Sequence, residues 1–423
     1  MSKPLVTILG KTVKSFARLR GGGSALPGLV VERIDPNFIK DILSSLPLGV
    51  TVISGTNGKT TTTKMVVELL ESQGLKVFTN RTGSNFSRGV AAALLSDINI
   101  KGKLDADIAV LELDEAHAVH FVDKIPPKFS LLLNVMRDQL DRFGEIDHTA
   151  NLLRHVANAT SEKVVLNRDD IRIANIAKSL DDKKVKFFGI DEKLLKYFPS
   201  DDNLHGSKYK NKITEKADVV LSKFHDDYAT FTIDGKDITT KLKLNGIYNV
   251  FNAAAAIALV RSIIGKEINQ KKLIEALSKV TPAFGRGEML TIDGEPLELV
   301  LVKNPSGFQL GLKSFNPSGY ATMIAINDNY ADGRDMSWLW DVNFSSLANA
   351  GVDLVSGIRA YDMALRLDYD EVTIKNVEVD LKIALKNFIS INKNQPKRIY
   401  CTYTAMTSIR KNLSKITKVE VVK

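Results

Sequence analysis

Cysteine is almost absent: Cys401 stands alone among 423 residues. One thiol cannot close an intramolecular disulfide, build a cysteine zinc site or hold an iron–sulfur cluster, and it points to a reducing compartment. Apolar runs are short. The stretch Met1–Arg20 is broken by Lys11, Lys14, Arg18 and Arg20, so it offers neither a signal-peptide core nor a small-residue cleavage site. No window of about 18 apolar residues suggests a membrane span. Charge of one sign is only in slight excess: 58 Lys and Arg against 49 Asp and Glu give +9. That balance suits an anionic ligand or an anionic membrane surface and does not specify nucleic acid. Internal repeats and low-complexity tracts are missing. The six histidines show no metal-ligand spacing with a carboxylate helix. With 44% apolar and 25% charged residues, a cytoplasmic α/β protein of about two or three domains is expected.

Short apolar strands alternate with helix-length spacers: Val50–Ile53, Val77–Thr79, Ile108–Leu113, Phe129–Asn134, Val164–Asn167 and Val185–Gly189. That rhythm predicts a parallel, doubly wound sheet. Asp191–Lys243 is rich in Lys and Asp, and its alternating segments Ala217–Ser222, Tyr228–Ile233 and Ile238–Leu244 predict a small antiparallel insertion. Asn245–Arg261 and Asn269–Val280 read as helices. Beyond a boundary at Pro282–Arg286, strands at Leu297–Val302, Ala321–Asn327, Val352–Ser356, Glu371–Ile374 and Arg398–Tyr403 predict a second, smaller α/β domain. The expected division is 1–45, 46–284 and 285–423.

One string carries most of the chemistry. Gly55-Thr56-Asn57-Gly58-Lys59-Thr60-Thr61 lies between the strand Val50–Ile53 and a helix of about Thr60–Gln73. Glycines let the backbone turn tightly against a phosphate, and the helix that follows offers free N–H groups and its positive dipole end. Lys59 can reach β/γ-phosphate oxygens, and the Thr60 hydroxyl can ligate Mg²⁺. Ile53 stands where the first glycine of the usual G-x-x-x-x-G-K-[ST] pattern would be. Cys401 lies inside the apolar strand Arg398–Tyr403 with no nucleophile elbow around it, so it reads as an inert core thiol.

The glycine string resembles the P-loop of the Mur ligase superfamily. Further segments narrow the likeness: Arg81–Asn85, Leu111–Ala116, Asn134–Glu145, Asn245–Ala253, Phe284–Arg286, Val302–Phe308 and Asn327–Asp341. From about Gly21 to Thr404 the chain resembles the MurT family, the synthetase subunits of lipid II isoglutaminyl synthases. The resemblance implies a Mur ligase-like P-loop ATPase domain with a parallel sheet, a smaller C-terminal Rossmann-like α/β domain and a truncated N-terminal segment. It implies ATP and Mg²⁺ as cofactors. Gly55, Thr56, Asn57, Gly58, Lys59, Thr60 and Thr61 would hold the phosphates. Thr60 and Glu112 would hold the metal, Glu112 being otherwise a structural carboxylate. Asp114 and Glu115 would be supporting or surface groups. Asn249 and Asn252 would lie near base and ribose, or else cap a helix. Arg286 would contact phosphate, or else be a solvated hinge residue.

The likeness also separates this chain from amino-acid-adding ligases. Gln139 stands where those carry a histidine, and Arg154 where they carry a carbamylated lysine, so a second Mg²⁺ is not implied. The family's four-cysteine zinc ribbon has no counterpart in the cysteine-free stretch 191–243, so no zinc is expected. Asp328, Asp332, Asp335 and Asp341 crowd one loop. They are either turn caps or, by resemblance, the source of an acid that completes the Cys–His pair of a GatD-like class I glutaminase partner; Asp335 is the first choice and Asp332 the second. Trp338 and Trp340 read as packing or interface anchors. The implied reaction is ATP-dependent amidation of the D-glutamate α-carboxylate of lipid II to D-isoglutamine through an acyl phosphate, with ammonia from the partner. The enzyme would be cytoplasmic and peripheral at the inner membrane face. The alternatives are a Mur-type ligase adding an amino acid, and a nucleotide-binding scaffold without chemistry.

Overall fold

The computed structural model describes residues 3–19, 26–80, 86–136, 146–198, 215–225, 227–244, 247–281, 286–314 and 317–419. The expected segments Arg81–Asn85 and most of Asn134–Glu145, including Asp138, Gln139 and Asp141, lie outside them.

Val50, Thr51, Val52 and Ile53 are β-branched, which favours a pleated, packed backbone. They open β1 (Val50–Ser54), buried along its whole length. The strands that share its sheet are β2 (Val77–Thr79), β3 (Ile108–Glu112), β4 (Phe129–Leu132), β5 (Lys163–Asn167), β6 (Val185–Ile190), β7 (Val219–His225), β8 (Tyr228–Ile233) and β9 (Lys236–Lys241). Their order is β2-β3-β1-β4-β5-β6-β7-β8-β9. The sheet is parallel through β7, and β8 and β9 run antiparallel at its edge. The strands of the stretch 191–243 thus continue the main sheet: Phe188, Gly189 and Ile190 of β6 pair with Val219, Val220 and Leu221 of β7.

Alternate residues feed two cores, as a sheet covered on both faces requires. Val52, Leu111, Leu132 and Leu166 pack on one face, with helices that include Leu26–Ile34, Ser87–Asp97 and Ile146–Ala159. Ile53, Val110, Leu131 and Val165 pack on the other, with helices Lys59–Ser72, Ile247–Ile264 and Gln270–Leu277. Each fully buried aliphatic side chain stabilises the fold by about 1.5–3 kcal/mol.

Helix Ile247–Ile264, with Asn249, Asn252 and Arg261 in it, is no unbroken apolar window, yet the stretch Tyr248–Glu267 is long and apolar enough by mean hydropathy to cross a membrane. Its position explains the composition. Ala253 through Val260 are all buried, between β4–β7 on one side and helix Lys59–Ser72 on the other. Small alanines let the two helices approach closely.

The second sheet contains β10 (Arg286–Ile292), β11 (Glu295–Leu301), β12 (Ala321–Ala325), β13 (Leu354–Ser356), β14 (Val377–Glu378) and β15 (Lys397–Cys401). Its order is β10-β11-β15-β12-β13-β14, parallel except for the β10–β11 hairpin. That hairpin turns at Asp293-Gly294, both at positive φ (52° and 84°), as a two-residue I′ turn requires. The strand expected at Glu371–Ile374 is displaced to β14, and Ile374 makes only a single bridge to Val352. In the middle of the sheet Glu298 and Arg398 face each other on β11 and β15, both buried, 2.7 Å apart. The Arg398 guanidinium also lies over the Tyr320 ring, 4.1 Å from its centre. This buried pair is satisfied within the sheet.

Candidate active site

In the order β3-β1-β4 the chain leaves β1 toward one side of the sheet and later returns on the other. Ligands bind beyond the carboxyl ends of parallel strands where the chain order reverses in this way. The P-loop occupies that position, between Ser54 at the end of β1 and helix Lys59–Ser72.

Two glycines make the turn. Gly55 has φ +132° and Gly58 has φ +88°, a region that side-chain-bearing residues rarely adopt. A Cβ on Gly58 would also lie 2.8 Å from the amide of Asn252, which therefore abuts the loop. Asn134, just beyond β4, holds the loop from below. Its Oδ1 accepts the Asn57 N–H (2.8 Å), its Nδ2 donates to the Asn57 carbonyl (2.9 Å), and its own carbonyl accepts the Thr56 N–H (3.0 Å). The Thr56 hydroxyl accepts the Met136 N–H at 3.0 Å. These four hydrogen bonds tie the loop to the segment that follows β4.

The charged groups are already gathered. Lys59 is buried, and its Nζ donates to the Gly55 carbonyl at 2.5 Å and faces Glu115 Oε2 at 3.3 Å. The Thr60 hydroxyl donates to Glu112 Oε1 at 2.8 Å. Glu112 ends β3, directly opposite Ile53 in the neighbouring strand, which explains why strand register alone brings it to the P-loop. Asn80, at the end of β2, fixes its backbone on both sides: Nδ2 donates to the Glu112 carbonyl (2.7 Å) and Oδ1 accepts the Glu112 N–H (3.0 Å). Thr60 and Glu112 together present two hard oxygens beside a phosphate loop. Mg²⁺ takes one or two protein oxygens of this kind and completes its octahedron with phosphates and water, so the pair fits that ion. Among the described residues no group of three or more His, Cys, Asp or Glu side chains is placed to hold a metal.

Other expected site residues divide. Thr61 faces the core, its hydroxyl buried without a partner. Asn249 and Asn252 lie one turn apart inside helix Ile247–Ile264, Asn252 buried against the P-loop and Asn249 half-buried. Arg286 opens β10, and its side chain lies outside the described residues. Arg154 is half-buried and hydrogen-bonded to Asn151 on its own helix (2.5 Å). Of the two alternatives given for Glu115, its burial against Lys59 matches the supporting group and not the surface one. Residues that sequence reading did not assign are Asn80 and Asn134, the two clamps. Asn304 is another: fully buried, it donates from Nδ2 to Asn57 Oδ1 at 3.3 Å and so ties the second sheet to the P-loop. For the three asparagines the detectable signal is their place just beyond a strand end.

The aspartate loop after β12 is resolved into distinct roles. Asp332 is buried; its carboxylate accepts the Thr404 N–H (2.7 Å), the Thr404 hydroxyl (2.5 Å) and the Asn329 N–H (3.1 Å). Burial pushes its carboxyl up, and the Thr404 bonds pull back against it. Asp328 pairs with Arg359 at 2.8 Å. Asp335 is exposed, and hydrogen bonding from Ser337, from its side chain first and its N–H (2.9 Å) second, holds the Asp335 carboxyl below its ordinary value. Trp338 is buried against Phe308, whereas Trp340 is half-exposed and packs on Tyr369. Cys401 is fully buried, and burial pushes its thiol far above the ordinary range, so it is no nucleophile.

A P-loop at the carboxyl edge of such a sheet, joined to a second parallel sheet, defines a Mur-type ligase. The family model of the Mur ligase middle domain matches residues 53–260, and that of the MurT ligase C-terminal region matches residues 301–406. The fold is similar to a pseudomurein peptide ligase type C from Methanothermus fervidus (TM-score 0.69, 18% identity, covering 90% of this chain and 81% of that one). It is also similar to the MurF ligase from Thermotoga maritima in complex with ADP (TM-score 0.65, 18% identity, 90% and 83%). In sequence it is 31% identical to the MurT subunit of the lipid II isoglutaminyl synthase (glutamine-hydrolyzing) from Streptococcus pneumoniae, over 93% of each chain. The chain belongs to the MurT family, whose fold and P-loop are those of the ATP-dependent Mur-type ligases.

Proposed function

We propose that this chain is the synthetase subunit of a glutamine-dependent amidating complex, converting the D-glutamate α-carboxylate of lipid II to D-isoglutamine. The observation that carries the reading is the 31% identity to a MurT subunit along nearly the whole of both chains. The site supports it with Lys59, Thr60 and Glu112 assembled at one strand edge.

A carboxylate is a poor electrophile. An oxygen of the substrate carboxylate attacks the γ-phosphorus of ATP; the bond to the β-bridging oxygen breaks and ADP leaves. Ammonia then attacks the carbonyl carbon of the acyl phosphate, phosphate departs with the C–O bonding pair, and a proton from nitrogen goes to solvent, leaving the amide. Lys59 exchanges the Gly55 carbonyl and Glu115 for phosphate oxygens and neutralises charge as the phosphoryl moves. Thr60 and Glu112 would hold Mg²⁺, which supplies further positive charge at the phosphates. Arg286 would add a bidentate contact to phosphate, and Asn249 and Asn252 would meet base and ribose. Asp335 would orient the histidine of a GatD-like class I glutaminase, a role that needs an exposed, ionised carboxylate. Asp332 is the poorer candidate because its oxygens are engaged within the chain. The enzyme would work at the cytoplasmic face of the membrane, where lipid II is presented.

The test is amidation of lipid II by mass spectrometry, with ATP and either ammonium or glutamine plus the glutaminase. The mass shift of a carboxyl-to-amide conversion with ammonium alone is expected. No shift with either nitrogen donor, together with ADP release when an amino acid is the acceptor, assigns the chain to the amino-acid-adding ligases.

A further inference from the structure

Helix Lys3–Leu19 is amphipathic in an unusual sense: its apolar side is not all used. Val6, Thr7 and Gly10 face inward, toward helices Leu26–Ile34 and Ser87–Asp97. A Cβ on Gly10 would lie 2.6 Å from Leu95 and Val31, so that side is packed tightly. The opposite side carries Leu5 (52% exposed), Ile8 (48%), Leu9 (37%) and Phe16 (63%). At 100° per residue these four fall within one stripe. The exposed positions among them are Thr12 and Ser15, with no charge in the stripe.

The sequence around this helix carries charge of one sign. From residue 1 through Val31 the sequence contains Lys3, Lys11, Lys14, Arg18 and Arg20 and no acid; Glu32 is the first. Helix Leu26–Ile34, on which Lys3–Leu19 packs, also lines a cleft of about 590 Å³ that bears Arg33, Lys40, Arg88 and Lys124 against Glu32 and Asp123. Lys14 is turned inward, donating to the Ala92 carbonyl and to Ser96. The acid-free sequence from residue 1 to Val31 nonetheless carries a net positive charge, which disfavours stacking on a second copy and complements an anionic surface. An apolar stripe on a helix whose sequence carries lysine and arginine but no acid is the pattern of a helix lying in a bilayer interface, its apolar side at the headgroup boundary.

We propose that the outer face of helix Lys3–Leu19 seats the protein on an anionic lipid bilayer. This deepens the reading of the substrate as a membrane lipid and rests on it for its purpose, but not for its test. Plain vesicles contain no lipid II and need no ATP, so binding is read independently of amidation. The full-length protein is sedimented with phosphatidylglycerol vesicles and with phosphatidylcholine vesicles. Partition to the anionic vesicles is expected, weakened by added salt. The variant Leu5→Ser/Ile8→Ser/Phe16→Ser is expected to lose about tenfold or more of that partition, while nucleotide binding at the P-loop stays unchanged and reports that the fold is intact. Ile100→Ser/Ile391→Ser, which removes two exposed apolar side chains elsewhere, is expected to bind as the parent does. Equal binding by the parent and the helix variant overturns the proposal, as does a parent that stays in the supernatant. So does a concentration-dependent dimer abolished by the same three substitutions, which would give the face to a second copy.

Discussion

Two loops follow parallel strands in this molecule, and they treat their charged groups in opposite ways. After β1 the P-loop gathers Lys59, Thr60, Glu112 and Glu115 into a buried, mutually satisfied cluster. After β12 the loop 327–341 spreads its acids: Asp332 is buried and bonded to Thr404, Asp328 pairs with Arg359, and Asp335 stays in water. The first arrangement suits chemistry, where water is excluded and fixed groups act on developing charge. The second suits docking, where one group must remain reachable. Proximity in sequence says little about which acid does what. Burial and prior partners decide it.

The comparison can be broken most sharply at Lys59. Lys59→Ala is expected to lower ATP turnover about 10³-fold with either nitrogen donor, since both routes need the phosphoryl step; a steady-state ADP-release assay reads it. A variant that keeps most of its turnover would detach the buried cluster from catalysis. Asp335→Asn comes next. Glutamine-driven amidation is expected to fall about 10²-fold or more while ammonium-driven amidation is unchanged, because the role proposed for Asp335 is to support a partner's histidine and not the phosphoryl step. Equal loss on both donors would place Asp335 in this chain's own chemistry. Asp332→Ala sharpens the contrast from the other side. It removes the acceptor of three hydrogen bonds and is expected to cost about 2 kcal/mol in urea unfolding. A glutamine-specific loss without any loss of stability would exchange the roles of the two aspartates. The smallest effect is expected at the loop backbone. Gly58→Ala puts a side chain at positive φ, at about 1–2 kcal/mol of stability. Asn252→Ala in the same chain is expected to relieve the part due to the contact and leave the part due to φ, and a double-mutant cycle measures the difference.

Much of this was legible beforehand. β-branched runs near Val50, Ile108 and Val164 mark the parallel strands, and the glycine–lysine–threonine string marks the phosphate loop between strand and helix. Glu112 is named by the resemblance at the end of an apolar strand, and the register that sets it opposite Ile53 of β1 comes only with the sheet. Other features resisted. Glu115 reads equally as a surface acid or a supporting group at a helix start, and only burial against Lys59 decides for the second. The stretch 191–243 looks separate by composition, yet β7 pairs with β6, because strand pairing follows available edges and not local charge. Helix Ile247–Ile264 has the composition of a membrane segment because both its sides are buried in the core.

The sequence by itself determined the α/β alternation, the two glycines that only a tight phosphate turn requires, and the lone cysteine's exclusion from metal and disulfide chemistry. These are local matters: period, φ and residue type act within a few positions. The tertiary structure alone decided which polar groups are spoken for. Lys59 meets an acid 56 positions away, and Asp332 meets Thr404 across 72. Contacts at such separations depend on sheet order and burial, which exist only once the chain has closed on itself, and those contacts distinguish a catalytic group from a structural one.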